Sequence, residues 1–492
     1  MTALQSTNRV KLSRAREATF GVIPTNPVFN TKRETSSGLS SAPQTVVSSE
    51  IRSDRQVTDL IFLGYQAGGA VAGELSFKSY DDEFEEALQG TWSNSPLITV
   101  ATSDTEISDV TATTLTVVTP LGTPFVAGML AYTSGFTTAA NNNILSRVAS
   151  STGTTIVFPA LSFTIEGAAI PVGASVRTVG FQGAAGDLVA VTAGGNAITS
   201  TALNFTTLGL AVGQWIYVGG AAVGNAFATA GVGGFCRISA ITATRLSFGR
   251  VPSTWVADAG SSKTVQIFTS DFLINGSTLR SATFERQYLD HSPVSYEYLR
   301  GQTIDKMTVT ADAQKIATLS VDYIGSDSTV TTARASGATD VASPTNFVLN
   351  TASSVDAIAF DGTAVATPNY LMSANWAFNN NLRRQLAVGV TGIVGTGNGE
   401  FSVTLGLNFY FGSKTVLDKV TSNTLTSFNC ALGRNDGNKE AYMFDFPSIK
   451  LGTGAPTVSG KNADIMINSN ATAFMDATLL YTASICRFWF LP

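Results

Sequence analysis

Residues 50–92 read EIRSDRQVTDLIFLGYQAGGAVAGELSFKSYDDEFEEALQGTW. A glycine-rich turn, a short strand and an acidic amphipathic helix follow one another here within one compact run. The helix is predicted from its ends and its spacing. Ser79 is a candidate N-cap, and Asp81, Asp82 and Glu83 occupy the first turn, where carboxylates favour the positive end of the helix dipole. Tyr80, Phe84, Ala87 and Leu88 fall three and four apart as an apolar stripe, and Gly90 ends the run. Such a helix packs on a sheet. The segment GYQAGGAVAG, residues 64–73, is followed by no Lys-Ser/Thr pair and no long helix, so it reads as a tight turn between strands and not as a phosphate loop.

Asp81, Asp82, Glu85 and Glu86 form the densest carboxylate group of the chain. A general acid/base pair is one reading of such a group. The solvated polar face of the helix is the simpler one, and an acidic face lining a passage for a polyanion is a third. His291 is the only histidine, which removes most Ser-His, Cys-His and multi-histidine metal arrangements. It precedes Ser292-Pro293 and reads as a turn residue. Asp436-Gly437-Asn438 resembles a fragment of a calcium loop but lacks the alternating oxygen ligands, so no metal and no cofactor are assigned. Cys236, Cys430 and Cys486 lie too far apart for a zinc knuckle or a disulfide framework and read as small buried hydrophobes made in a reducing compartment.

With 492 residues the chain can bury a large core in two or more domains. Hydrophobic residues make up 44 % and charged residues only 13 %, a balance suited to thin β-layers joined by many turns. A formal net charge of -5 argues against a surface that grips nucleic-acid phosphates. The N-terminal residues show no continuous apolar core before a small-residue cleavage site, so no secretory signal is expected. No apolar run reaches the ~20 residues of a membrane helix. Arg9, Lys11, Arg14 and Arg16 give the first segment a basic face, which reads either as a loose terminus or as an arm that orders against a neighbouring subunit.

From about Leu97 to Phe268 the chain turns to Ala, Gly, Thr and Val and repeats itself. RVASSTGTTIVF (147–158) matches RISAITATRLSF (237–248), and PFVAGMLAY (124–132) matches GLAVGQWIY (209–217). Arg147 aligns with Arg237, Phe158 with Phe248, Gly128 with Gly213 and Tyr132 with Tyr217. Each unit reads as a small β-sandwich or barrel that folds by itself. Further on, Ala317, Leu319, Val321 and Tyr323 alternate with polar residues, as do Phe401, Val403, Leu405, Leu407, Phe409 and Phe411. Leu386, Val388 and Val390 make a shorter strand-like run, with residues 395–400, GTGNGE, as the hairpin turn.

Residues 52–92 resemble the N-terminal motif of tail tube proteins from long-tailed bacteriophages. The segments TFERQYLD from Thr283, FSVTLGLNFYF, NKEAYMFDFPSIKL with Pro447, and ATLLYTASICRFWF are similar to the later part of the same family. The resemblance implies a mainly β fold, a tail-tube β-sandwich or barrel with one short α-helix, interrupted by two inserted small β-domains. The division is an N-terminal arm, 1–50, a tail-tube domain in two parts, 51–96 and 271–492, and inserted domains at 97–181 and 182–270. A non-enzymatic virion protein is implied, made in the host cytoplasm and self-assembling into stacked, typically hexameric rings through which the genome is ejected. Tape-measure, tail-terminator and tail-tip proteins are the implied partners; DNA passes without sequence-specific binding, and no membrane insertion is expected. Asp81, Asp82, Glu85 and Glu86 are then candidates for subunit contact or for facing the lumen. The inserted pair is expected to decorate the outer wall, and deletion of 97–268 to leave tube formation intact.

Two other classes share the strands. In a carbohydrate-binding adhesin or glycan-degrading surface protein, Trp215 and Trp255 would stack on sugar rings, although core positions are the simpler reading of both. An outer-membrane β-barrel would show lipid-facing apolar bands.

Overall fold

The computed structural model describes residues 4–118, 125–159, 162–167, 169–366, 368–434, 439–458 and 460–492. Asp436-Gly437-Asn438 and Pro124 lie outside these residues. The fold is mainly β, its sheets are not closed into a barrel, and among the described residues it contains two α-helices, Asp81–Ala87 and Thr415–Thr421. The second helix was not expected: Thr415, Val416, Val420 and Thr421 are β-branched, and packing of Val416, Leu417 and Val420 against the body holds the turn there.

One strand network forms the body. Its alternating runs bury one face each: Leu319, Val321 and Tyr323 within Thr318–Gly325, and Val403, Leu405, Leu407 and Phe409 within Ser402–Tyr410. The fifteen-residue strand Leu60–Glu74 pairs with Thr318–Gly325, from Ala67 opposite Gly325 to Glu74 opposite Thr318. The opening motif thus closes on residues far downstream, across the insertion.

Three local expectations are corrected. The glycine-rich segment is not a turn but part of Leu60–Glu74. Gly68 and Gly69 have φ of 143° and 136°, and a Cβ at either would overlap a carbonyl oxygen, of Tyr323 and Gly38 respectively. The glycines let three backbones approach closely. The basic N-terminal segment is neither loose nor reaching outward, because Val10–Arg16 pairs along its whole length with Ala282–Tyr288. Leu386, Val388 and Val390 lie in an exposed loop joining Arg383–Gln385 to Gly395–Gly397, so the glycines meant as a turn form a strand and the apolar run is the connection. No core within the subunit receives those three side chains.

In the insertion, the sequence repeat is matched by geometry. Arg147 lies opposite Leu130 as Arg237 lies opposite Trp215. The amide of Gly128 donates to Val148 O as that of Gly213 donates to Ile238 O, and both glycines have positive φ. Phe158 meets Phe163 edge-on as Phe248 meets Trp255. The two halves also share one sheet, since Ser175–Gln182 pairs with Met129–Ser134 and with Gln266–Phe268, and the latter continues to Trp215–Val218. A single apolar cluster runs from Ile98 and Phe181 to Phe248 and Ile267.

A third cluster joins insertion to body. Leu130, Val179, Trp215 and Phe268 pack with Phe272, Met443, Tyr481, Cys486 and Phe488. Arg237 Nη1 reaches Asp445 Oδ2 across this junction at 2.9 Å, with both side chains buried. Excision of 97–268 would strip the cover from a row of large apolar side chains.

Candidate functional site

Two features stand out: a charged cluster around the acidic helix, and an apolar ribbon projecting from the sheet.

The acidic helix is amphipathic as its spacing predicts, with Tyr80, Phe84, Ala87 and Leu88 buried, although Ser79 does not cap it and its hydroxyl meets Ser76 instead. Its polar face is not solvated. Glu83, Glu85 and Glu86 are buried under the basic N-terminal strand. Arg14 Nη2 donates to both oxygens of Glu86, at 2.7 and 2.6 Å, and Arg16 Nη2 donates to Glu85 Oε2 at 2.8 Å. Lys32 Nζ lies 2.6 Å from Glu83 Oε1. Burial alone would disfavour the Arg14 charge, yet Glu86 and Glu83 hold its pKa above the ordinary value. Only Asp82 keeps half of its side chain in solvent. An acid/base pair needs a carboxylate free to exchange protons, whereas Glu83, Glu85 and Glu86 are committed to cations.

Asp81 belongs to a second group. It accepts from Tyr442 Oη and Arg487 Nη1. Arg487 also donates to Asp271 and Asn94, and its guanidinium lies between the Trp92 and Trp489 rings, 4.5 and 4.8 Å from their centroids. Arg177 sits 3.7 Å over the Trp489 ring on the other approach; burial pushes its pKa down to about 10, with Asp271 opposing that shift and the Arg487 charge adding to it. A cleft of about 770 Å³ opens between these two groups, lined by Lys78, Asp81, Asp82, Trp92, Arg487 and Trp489 among others.

The ribbon is formed by Pro43–Val47 of one strand against Leu60–Tyr65 of the next, and Ser48 and Asp59 close the base of its tip. Leu60, Ile61, Phe62, Leu63 and Tyr65 are exposed by 40–61 %, on both faces, as are Val46 and Val47. Tyr65 N donates to Thr391 O at 2.6 Å, which sets the exposed Leu386, Val388 and Val390 loop beside it. Consecutive apolar residues exposed on a two-stranded ribbon have no reason to be there in an isolated chain. The signal for this ribbon in the sequence is a run of apolar residues without alternation.

Trp215 and Trp255 are exposed by 4 and 8 %. Trp215 packs in the junction cluster, and Trp255 Nε1 donates to Val191 O. Neither ring offers a face for sugar stacking, because both fill core. All three cysteines are free and buried, and burial pushes the Cys430 and Cys486 thiols up to about 12. Among the described residues no group of three His, Cys, Asp or Glu side chains is placed to hold a metal, and no helix is long and apolar enough to cross a membrane.

No curated protein shows a significant match to the chain. A family model described as phage tail tube protein matches it twice, over residues 7–244 and 213–483. Between them the two matches cover nearly the whole chain, so the chain belongs to the phage tail tube protein family and has a structural role in the virion.

Proposed function

We propose that this protein is the repeating subunit of a phage tail tube, forming rings that stack into a hollow conduit for genome ejection. The apolar ribbon carries the reading. Residues 43–47 and 60–65 expose a row of side chains that only another protein surface can cover, and subunit stacking provides one. The net charge of -5 suits a wall past which DNA moves, since clustered cations would retain phosphates. Asp82, half exposed beside the open cleft, is the member of the acidic group available to a neighbouring subunit; Asp81, Glu85 and Glu86 act within the chain. Tape-measure, terminator and tip proteins are the partners of such a tube. The inserted pair belongs on the outer wall, because its bulk would otherwise obstruct the channel.

Electron microscopy of the purified protein tests this. Stacked rings are expected. Replacing residues 44–63 by a two-residue turn should leave a folded chain that no longer stacks, and dispersed chains from the parent under all conditions would overturn the proposal.

A further inference from the structure

The body contains the same strand pairing twice. Ala282–Tyr288 and Ser295–Asp312 form a hairpin in which Tyr288 faces Ser295, Phe284 faces Leu299 and Ala282 faces Gln302, with a register shift between Ala282 and Phe284. Thr426–Gly433 and Ala441–Leu451 form another, in which Leu432 faces Tyr442, Phe428 faces Phe446 and Thr426 faces Ile449, with the shift between Thr426 and Phe428. The two registers superimpose residue for residue, bulge included. Conserved placement of a bulge is a design feature of a fold and not an accident of composition.

The neighbours agree in order, with one extra residue in the second flank between Val355 and Ala357. Val10–Arg16 flanks the first hairpin with Arg14 opposite Phe284 and Val10 opposite Tyr288; Val355–Phe360 flanks the second with Phe360 opposite Phe428 and Val355 opposite Leu432. Thr318–Gly325 lies between Ser295–Asp312 and Leu60–Glu74, as Met466–Ala473 lies between Ala441–Leu451 and Ser402–Tyr410. Each of Leu60–Glu74 and Ser402–Tyr410 leads into a seven-residue helix.

The joint between the units is itself a strand pairing, Lys306 opposite Asn379 through Asp312 opposite Ser373. Its two sides have equivalents at opposite ends of the body. Residues 373–379 correspond to 36–42, because Ser373 and Ala377 face Asn408 and Thr404 as Ser36 and Ser40 face Ala72 and Gly68. Residues 306–311 correspond to 453–458, because Val309 faces Leu319 as Pro456 faces Ile467. In the isolated chain both of these edges are open: each pairs on one side only, and Gly38, Ser40, Ala42, Thr453, Ala455 and Thr457 are exposed. On the first edge Arg286 Nη2 donates to Leu39 O and Ser37 Oγ; on the second, Pro456 withdraws one donor.

We infer that the chain is two copies of one sandwich unit, and that residues 36–42 of one chain pair with 453–458 of the next, repeating between chains the joint already made within each. Ala42 then faces Thr453, Ser40 faces Ala455 and Gly38 faces Thr457. A head-to-tail pairing of this kind closes into a ring, and the ring holds half as many chains as it has unit positions. The inference rests on the tube reading but makes a separate claim about register and count.

Ala42→Cys/Thr453→Cys in the full chain, assembled and then oxidised, should give a ladder of covalent multimers ending at one closed species. Single variants and Ala42→Cys/Val330→Cys should give none, the native cysteines being buried. A reconstruction of the unmodified tube should show twice as many wall units per ring as its rotational symmetry counts chains. Tubes that form without the cross-link, or whose units and chains are equal in number, overturn the joint and leave the tube reading intact; dispersed chains in every condition overturn both.

Discussion

Arg487 Nη2 lies 2.6 Å from Asp271 Oδ2 although 216 positions separate them in the chain. Asp271 begins the strand that leaves the insertion, Arg487 sits in the last strand, and Arg487 also holds Asp81 of the acidic helix. One guanidinium therefore ties together the opening motif, the exit of the insertion and the C-terminus. Its pKa stays above the ordinary arginine value because Asp81 and Asp271 outweigh the cost of burial.

Arg487→Leu leaves Asp271, fully buried, with the Ser95 amide, the Trp489 indole and the more distant Arg177, and without its one close cation. Loss of one partner from a buried pair costs about 3–5 kcal/mol. Urea unfolding should show that loss, with Arg487→Lys intermediate because an ammonium keeps the charge but not the planar fork. A midpoint within error of the parent for both variants would refute the role.

Arg14 and Glu86 are a second such pair, with side-chain exposures of 2 and 1 %. Arg14→Leu should destabilise by about 3–5 kcal/mol. Arg14→Leu/Glu86→Leu should recover part of it, since the stranded carboxylate goes too. The double-mutant cycle reads the coupling directly.

Deleting 97–268 uncovers Phe272, Met443, Tyr481, Cys486 and Phe488. The shortened chain is expected in the insoluble fraction. Replacing Phe272, Met443 and Phe488 by Ser in the same deletion should shift it toward the soluble one; a soluble, tube-forming deletion without those changes would show that the junction is dispensable.

Burial pushes the Asp187 carboxyl up, but hydrogen bonds from Ser200 Oγ, Thr201 N and Ala202 N outweigh this and hold it below its ordinary 3.8. A carboxylate depressed in the folded state stabilises the fold above its unfolded pKa, and that contribution fades as pH falls below 3.8 through the folded value. Asp187→Asn should thus be less stable than the parent at pH 7, with the gap closing on acidification. Thermal melts of both proteins between pH 7 and 3 check it, and a constant gap would contradict the assignment.

Much of the acidic cluster was legible in pieces. The basic segment around Arg14 and the carboxylates around Glu86 were each visible, as were the apolar stripe of the helix and the alternation in Ser402–Tyr410. Their meeting was not, because charge pairing between residues ~70 positions apart follows from strand order, which no local period encodes. The same lack left Trp215 open to both a core and a sugar-stacking reading: a tryptophan on a short strand reads alike whether it faces solvent or the cluster that holds Phe488.

The sequence by itself determined that the chain is mainly β, that an amphipathic helix follows residue 80, that the insertion repeats itself, and that its opening motif resembles a tail tube protein. These are local signals, fixed by side-chain period and by turn and cap residues. Only the tertiary structure decided that the carboxylates are buried under Arg14 and Arg16, that the insertion shares a core with the body, and that the body pairs its strands twice in one register. Each of those depends on which distant strands lie side by side, and that choice is made by the free energy of the whole packed core and not by any segment of it.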